Sequence, residues 1–220
     1  MKFPIKIERI KINKVIKHFL LADMLFLGGW GFIGPVFGIF ILDHVPGSTL
    51  FTIGAVSALY WITKSIVQIP VSIYLDKHEG EKDDFYALVF SLALAGFAAM
   101  AFLLVKNIAG LFAVQFLHAV AMGFYTPSWS AIYARHLDKE HYSFDWSLDS
   151  TLLGVAYSMT ALLGGGVAAA FGFQTVFILV SIFSFASAFV LLSLPNLIFP
   201  KATTEEKPLF LDHTPHTIGK

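Results

Sequence analysis

Long apolar stretches alternate with short polar segments along most of the chain, and this pattern predicts helices that cross a membrane. A helix needs about 20 mainly apolar residues to span a hydrocarbon core of ~30 Å. Six stretches have this length, here named spans 1 to 6, at 18–42, 50–75, 86–105, 110–134, 148–172 and 175–195. The sequence therefore predicts an all-α integral membrane protein with a six-helix bundle over 18–195.

Composition agrees with a membrane protein and excludes several other classes. Hydrophobic residues make up 56% of the chain and charged residues 14%, whereas soluble domains carry about 25% charged residues. A net charge of zero excludes a strongly basic nucleic-acid binder, and the absence of cysteine removes thiol chemistry. The sequence has no phosphate-binding loop, metal-ligand cluster or nucleophile motif. We therefore predict no enzyme, metal or cofactor, and expect membrane lipids as partners.

The positions of the basic residues predict the orientation in the membrane. Residues 1–17 hold six basic residues interleaved with isoleucines, which predicts a basic interfacial segment on anionic headgroups. With the N-terminus in the cytoplasm, 13 of the 15 lysines and arginines lie on the cytoplasmic side. We predict a multi-pass plasma-membrane protein with both termini cytoplasmic. Residues 196–220 are predicted to be a flexible cytoplasmic tail, or the start of a linker to a second half.

A short pattern occurs once in each half of the predicted bundle. Span 1 contains Gly-Phe-Ile-Gly-Pro at 31–35, and span 4 contains Gly-Phe-Tyr-Thr-Pro at 123–127. Each segment lies in the first helix of a set of three, and two such sets run in opposite directions because three spans are an odd number. The pattern predicts two inverted three-helix repeats, with chance similarity as the alternative.

Lys64 is the first candidate site residue because a lysine in the middle of an apolar helix costs roughly 2.5–3.5 kcal/mol in lipid. It is therefore expected to face protein or water. The residues that share its helix face are Ser57, Tyr60, Trp61 and Gln68. Asp23 of span 1 is within combined side-chain reach of Lys64, so we hypothesise that the two form an ion pair. An anionic substrate or a proton at Lys64 is the alternative.

Span 4 carries a second polar face. Its members lie within about 80° of one another on a helix, and they are Gln115, His118, Met122, Tyr125 and Trp129. This face either lines a substrate cavity or bonds to neighbouring helices. His118 could carry protons because histidine titrates near neutral pH, or it could be a satisfied core histidine. On span 1, Trp30 lies on the same face as Asp23.

Charged and small residues predict contacts between spans. Asp76 is expected to meet Arg135 or to cap a neighbouring helix, unless its loop is only a solvated turn. Asp145 and Asp149 precede or begin span 5 and are expected to be its N-terminal charges. A stripe of small residues on span 5 predicts close helix contact, and it consists of Gly154, Ser158, Ala161 and Gly165.

Three segments resemble motifs of the major facilitator superfamily. The loop SIYLDKHEGEK after span 2 resembles the signature loop of this family, with Asp76 and Lys77 as its acidic and basic pair and Gly80 one place late. Span 4 is similar to the family's helix 4, with Gln115 in place of an arginine. Span 5 is similar to the glycine-rich antiporter motif. The resemblance covers 18–195 and corresponds to one six-helix half of a fold that normally has twelve helices.

The resemblance implies alternating access, in which two six-helix bundles rock about a central site and the loop after span 2 acts as a cytoplasmic latch with Arg135. Because one bundle forms half a cavity, we expect a homodimer that meets at the small stripe of span 5. The expected function is a half-size secondary active transporter of a small solute, with proton coupling open. A non-transporting scaffold or one half of a heteromeric transporter is the alternative. The expected solute or ion contacts are Asp23, Trp30, Tyr60, Trp61, Lys64, Gln68, Gln115, His118, Tyr125 and Trp129.

Overall fold

All regular secondary structure in the described residues is helical. The structure is a computed structural model that describes residues 14–77, 81–137 and 141–193. Its α-helices are α1 Lys14–Trp30, α2 Phe37–His44, α3 Leu50–Asp76, α4 Lys82–Ala101, α5 Ile108–His136, α6 Tyr142–Phe171 and α7 Phe173–Leu192. A 3-10 turn, Phe102–Leu104, extends α4. Five segments, α3, α4 with this turn, α5, α6 and α7, are long and apolar enough to cross a membrane, so the chain is a multi-pass membrane protein.

The first predicted span is divided into two helices. α1 has 17 residues and α2 has 8, and turns occupy residues 31–36 between them. Pro35 has no N–H to donate and disfavours helical backbone in the residue before it. The backbone tightens accordingly, and the N–H groups of Gly31 and Phe32 donate to carbonyls three residues earlier, at 3.0 and 3.2 Å. A sixth span built from α1 and α2 together remains a prediction.

Local capping explains where several helices begin and end. Thr49 and Thr52 form a reciprocal capping box at the start of α3, and the Asn107 side chain accepts from the Gly110 N–H at 2.8 Å at the start of α5. Gly172 separates α6 from α7 with a φ of 81°, a value that L-residues with a side chain rarely adopt. These signals agree with the predicted starts of spans 2 and 4 and the predicted end of span 5 to within a few residues, whereas α6 begins six residues before the predicted start of span 5.

The helices pack around α5, which contacts both α3 and α4. α7 packs on α4 and α1, while α1 also packs on α6. The consecutive helices α4 and α5 are in contact, as are α6 and α7, whereas the segment of span 1 meets α3 mainly through the short α2. α3 and α6 bury few residues, so two flanks of the bundle are largely exposed.

The two G-F-x-x-P segments differ in local structure. Residues 31–35 lie in turns, whereas 123–127 lie inside the continuous helix α5. The inverted repeats therefore remain a prediction without support from these segments. Most of the predicted interfacial segment 1–17, all but its last four residues, lies outside the described residues, as does the whole predicted tail 196–220.

Candidate solute-binding cleft

A cleft follows α1, with α6 on one side and α3 and α5 on the other. Three cavities of about 360, 490 and 240 Å³ form it. The first two share Leu27 and Leu153, and the last two share Trp30 and Tyr157, so the three adjoin along α1. The two larger volumes fall within the ~300–1,000 Å³ typical of small-ligand pockets. We call the part lined by Asp23, Lys64 and Asp149 the charged end, and the part lined by Trp30, Gln115 and His118 the aromatic end.

Three charged residues from three helices line the charged end. Asp23 is 3% exposed and accepts a hydrogen bond from the Tyr125 hydroxyl. Asp149 of α6 is 8% exposed, and Lys64 of α3 places its Nζ 5.2 Å from the centroid of the Trp61 ring. The predicted ion pair between Asp23 and Lys64 is wrong, because no ion pair joins them in the described residues and Asp23 bonds Tyr125 instead. Both still face one cavity.

Flat rings and uncharged polar groups form the aromatic end. The rings of Trp30 and His118 stack with centroids 3.8 Å apart and planes at 2°, and Tyr60 packs near His118 at 5.2 Å. Gln115 is 7% exposed and His118 is 9% exposed. Within the described residues, Trp30 Nε1, Gln115 Oε1 and His118 Nδ1 have no hydrogen-bond partner. A buried polar group without a partner is costly, so three of them beside one cavity indicate a place where a ligand or water binds.

Most of the predicted site residues lie in the cleft, and three do not line it. Tyr60 stands behind His118, and Trp61 is 61% exposed and contacts the Lys64 ammonium. Gln68 lines a further cavity between α3 and α5, which adjoins the charged end at Thr126 and Ser130. The other seven line the cleft, and they are Asp23, Trp30, Lys64, Gln115, His118, Tyr125 and Trp129.

Asp149 and Tyr157 of α6 are cleft residues that the sequence analysis missed. The sequence predicts Asp149 as an N-terminal charge of its span, but α6 begins at Tyr142, so Asp149 lies in the second turn of the helix and lines the cleft. A charged residue inside an apolar helix is costly in lipid, and this argument, which identified Lys64 as a candidate, applies equally to Asp149. The assignment is right for Asp145, which lies in the first turn of α6.

The predicted contact between Asp76 and Arg135 is wrong. Arg135 forms an ion pair with Asp84, which is 1% exposed, and His136 Nε2 lies 2.9 Å from Glu81 Oε2. These acidic residues begin α4 and the basic residues end α5, an arrangement that both helix dipoles favour. Asp76 and Lys77 are exposed at the end of α3, and Gly80 of the predicted latch lies outside the described residues.

The small stripe predicted on span 5 is not packed against another helix, and Gly154 and Ser158 line the cleft beside Trp30. A methyl group added at Gly154 or Gly165 would meet nothing within 4 Å, and Ser158 is exposed. Ala161 is partly exposed, whereas the neighbouring Gly164 is buried against the backbone of Phe32. The stripe is therefore open in the single chain.

A helical membrane bundle with a polar cleft between its helices has the architecture of secondary transporters. The chain matches the family model for the Major Facilitator Superfamily over residues 19–215, so it belongs to this superfamily of transporters and not to a class of enzymes. Comparison with curated proteins gives no match. Among solved structures, the chain is similar to the in meso crystal structure of the POT family transporter PepTSo, with a TM-score of 0.62 and 11% identity. The match covers 90% of this chain and 40% of that transporter, and at this identity it concerns the fold alone.

Proposed function

We propose that the protein is a half-size secondary active transporter in which the cleft forms one wall of the solute pathway. The observation that carries this proposal is the cleft itself, where buried charged and polar side chains line a cavity and several of their polar atoms have no hydrogen-bond partner within the described residues. Charged groups inside a membrane bundle are expensive unless they serve a solute, an ion or a partner. Alternating access then requires an opposing wall, and we propose that a second copy of the chain supplies it.

The open surfaces of α3 and α6 support the homodimer. Both helices flank the cleft, and the small stripe on α6, from Gly154 to Gly165, would allow two helices to approach closely. The likeness to 40% of a transporter chain also supports a unit equivalent to about one half. In this arrangement α1 and α2 form the first of six spans, both termini are cytoplasmic and the protein resides in the plasma membrane.

Proton coupling is assigned to Asp23, the buried carboxyl at the charged end that bonds Tyr125. Protonation of Asp23 would remove a buried charge and change its bond to Tyr125, which links the proton to the geometry of α1 and α5. The latch at the cytoplasmic side is proposed to consist of the pair Arg135–Asp84 together with the loop that contains Asp76 and Lys77.

Reconstitution in liposomes tests the transport proposal. With a pH-sensitive dye inside the vesicles, we expect at least one member of a panel of amino acids, sugars, organic acids and amines to drive proton movement. Asp23→Asn should abolish the proton signal, whereas Asp43→Asn, at an exposed position near the end of α2, should retain it. Wild-type vesicles that move no member of the panel, by dye or by direct uptake, would overturn the proposal.

Cross-linking tests the homodimer, because the chain has no native cysteine. Ser158→Cys lies in the small stripe and should form a disulfide-linked dimer in the bilayer. Phe97→Cys is a matched control, since Phe97 is 58% exposed but lies on α4, away from α3 and α6. Equal cross-linking of the two variants, or none at Ser158→Cys in a protein that runs as a monomer, would exclude this interface and favour a heteromeric partner or a scaffold.

A further inference from the structure

The two ends of the cleft differ in chemistry, and together they define a class of solute. We propose that the cleft binds a zwitterion that carries a planar aromatic ring, as in aromatic amino acids. The charged end takes the ammonium and carboxylate groups, and the aromatic end takes the ring. The inference on transport rests on the proposed function, whereas the inference on binding stands without it.

Charges of opposite sign lie on different walls of the charged end. Asp23 and Asp149 belong to α1 and α6, whereas Lys64 belongs to α3 across the cavity. Within the described residues no ion pair joins Lys64 to either carboxylate, so their charges are not neutralised by one another. A solute ammonium next to the two carboxylates and a solute carboxylate next to Lys64 would complement all three.

Aromatic side chains at the charged end also favour an ammonium group. Tyr125 and Trp129 line this cavity, and the Trp129 ring is 9% exposed. A cation over such a ring is attracted by the negative face of the π system. Trp129 Nε1 has no hydrogen-bond partner in the described residues, and it can donate to an oxygen of the solute.

The aromatic end is built to hold a flat polar ring. Its walls include Trp30, Phe37 and Phe102, which would contact a ring in stacked or edge-on geometry. Gln115 Oε1 is a buried acceptor without a partner, and Trp30 Nε1 is a donor without a partner, within the described residues. A ring with an N–H or O–H group would satisfy Gln115, which an alkyl chain would leave unpaired.

The separation of the two ends agrees with one solute occupying both. Asp23 and Trp30 are seven residues apart on α1, or about 10 Å along the helix at 1.5 Å per residue. Lys64 belongs to the charged end, because its carbonyl is 3.4 Å from the position of a methyl group on Gly123, which is two residues from Tyr125 and five from His118. A solute with only a negative charge would be repelled by the two carboxylates, and a solute with only a positive charge would leave Lys64 without a counter-charge. A zwitterion therefore complements the charged end better than either.

L-tryptophan and three analogues that each lack one of its groups test the proposal. Purified protein in lipid nanodiscs is titrated calorimetrically with L-tryptophan, tryptamine, indole-3-propionate and L-alanine. We expect L-tryptophan to bind at least ~10-fold more tightly than each of the others, because each lacks a charged group or the ring. Equal affinity for L-tryptophan and any one of the three, or no binding of L-tryptophan, would overturn the proposal.

Two variants then test which group of the solute binds at each end of the cleft. Lys64→Gln should erase the preference for L-tryptophan over tryptamine. Gln115→Leu should lower the affinity for L-tryptophan by about 3- to 10-fold. It should lower the affinity for tryptamine by the same factor, because both molecules carry the ring N–H. Gln174→Leu, at an exposed position near the start of α7 and outside the cleft, is the matched control and should change neither. Melting curves recorded without ligand identify any variant that has not folded. The comparison of the four probes uses the wild-type protein, so it tests the proposal even if a variant does not fold.

Transport measurements separate this inference from the proposed function. L-tryptophan that binds to the nanodiscs but does not enter liposomes would leave the binding class intact and overturn the transporter. Uptake of a sugar or an organic acid, together with no binding of L-tryptophan, would leave the transporter intact and overturn the binding class.

Discussion

The segments 31–35 and 123–127 share the pattern G-F-x-x-P but have different structures. The first interrupts a helix, so that α1 ends at Trp30 and α2 begins at Phe37. The second lies within α5, which continues past Pro127 to His136. Glycine and proline therefore permit a break in a membrane helix but do not by themselves produce one, since neighbouring groups can satisfy the backbone either way.

The neighbours of the two segments explain the difference. Beside the first, the Thr160 hydroxyl of α6 donates to the Gly28 carbonyl at 2.5 Å, and Gly164 allows α6 to approach the backbone of Phe32. Beside the second, α5 packs on Val67 of α3 at Gly123 and keeps its regular helix. A partner helix thus stabilises the break in one case and the continuous helix in the other.

The break also positions the cleft. Trp30 is the last residue of α1, and its ring stacks on His118 at the aromatic end. Gly34, within the turns, lines the same cavity. A continuous helix through 31–36 would direct these residues differently, so the contact with α6 and the shape of the aromatic end depend on each other.

Of the three substitutions considered, Gly164→Leu, beside the broken segment, should lower the unfolding free energy most. The new side chain would overlap the carbonyl of Phe32 and push α6 away from the turns. We expect a loss of about 3 kcal/mol or more in unfolding free energy, at the upper end of overpacking effects. Thermal unfolding in detergent measures it, with Gly165→Leu as control, since Gly165 meets nothing within 4 Å. Equal melting temperatures for the two variants would show that α6 does not hold the break.

Gly123→Val should have an intermediate effect on the unbroken segment. A methyl group at Gly123 would lie 2.6 Å from Val67 Cγ1, so α3 and α5 must separate slightly. We expect a loss of about 1–3 kcal/mol in unfolding free energy. Chemical unfolding monitored by tryptophan fluorescence measures it, and Gly154→Val, at an open position, should cost much less. A variant as stable as wild type would contradict close packing of α3 on α5.

Thr160→Val should have the smallest effect, because it removes one hydrogen bond between helices while keeping the shape of the side chain. We expect a loss of about 0.5–1 kcal/mol, as is usual for such bonds in membranes. Thr175→Val is the control, since the Thr175 hydroxyl donates to the carbonyl of Phe171, only four residues earlier in the sequence, at 3.0 Å. A larger loss for the control would mean that the bond to Gly28 does not stabilise the break.

Sequence patterns predicted the polar faces but not the bonds within them. The face that contains Gln115 borders the cleft, because helical periodicity decides which residues share a face. Of the face that contains Lys64, only Lys64 itself lines the cleft. The partner of Asp23 is Tyr125 and that of Arg135 is Asp84, and neither pair was predicted. Pairing across helices depends on the rotation and depth of each helix relative to its neighbours, which spacing within one helix does not define.

The sequence by itself determined a helical membrane protein and the approximate limits of its spans, because the length and polarity needed to cross a bilayer are local properties of each segment. It also determined the family resemblance, through motifs that are short and contiguous. Only the tertiary structure decided that α1 stops at Trp30, that Asp149 joins the cleft and that the small stripe of α6 remains open. These features depend on which helices contact one another, because a buried group is stabilised by the neighbour that reaches it and not by its place in the chain.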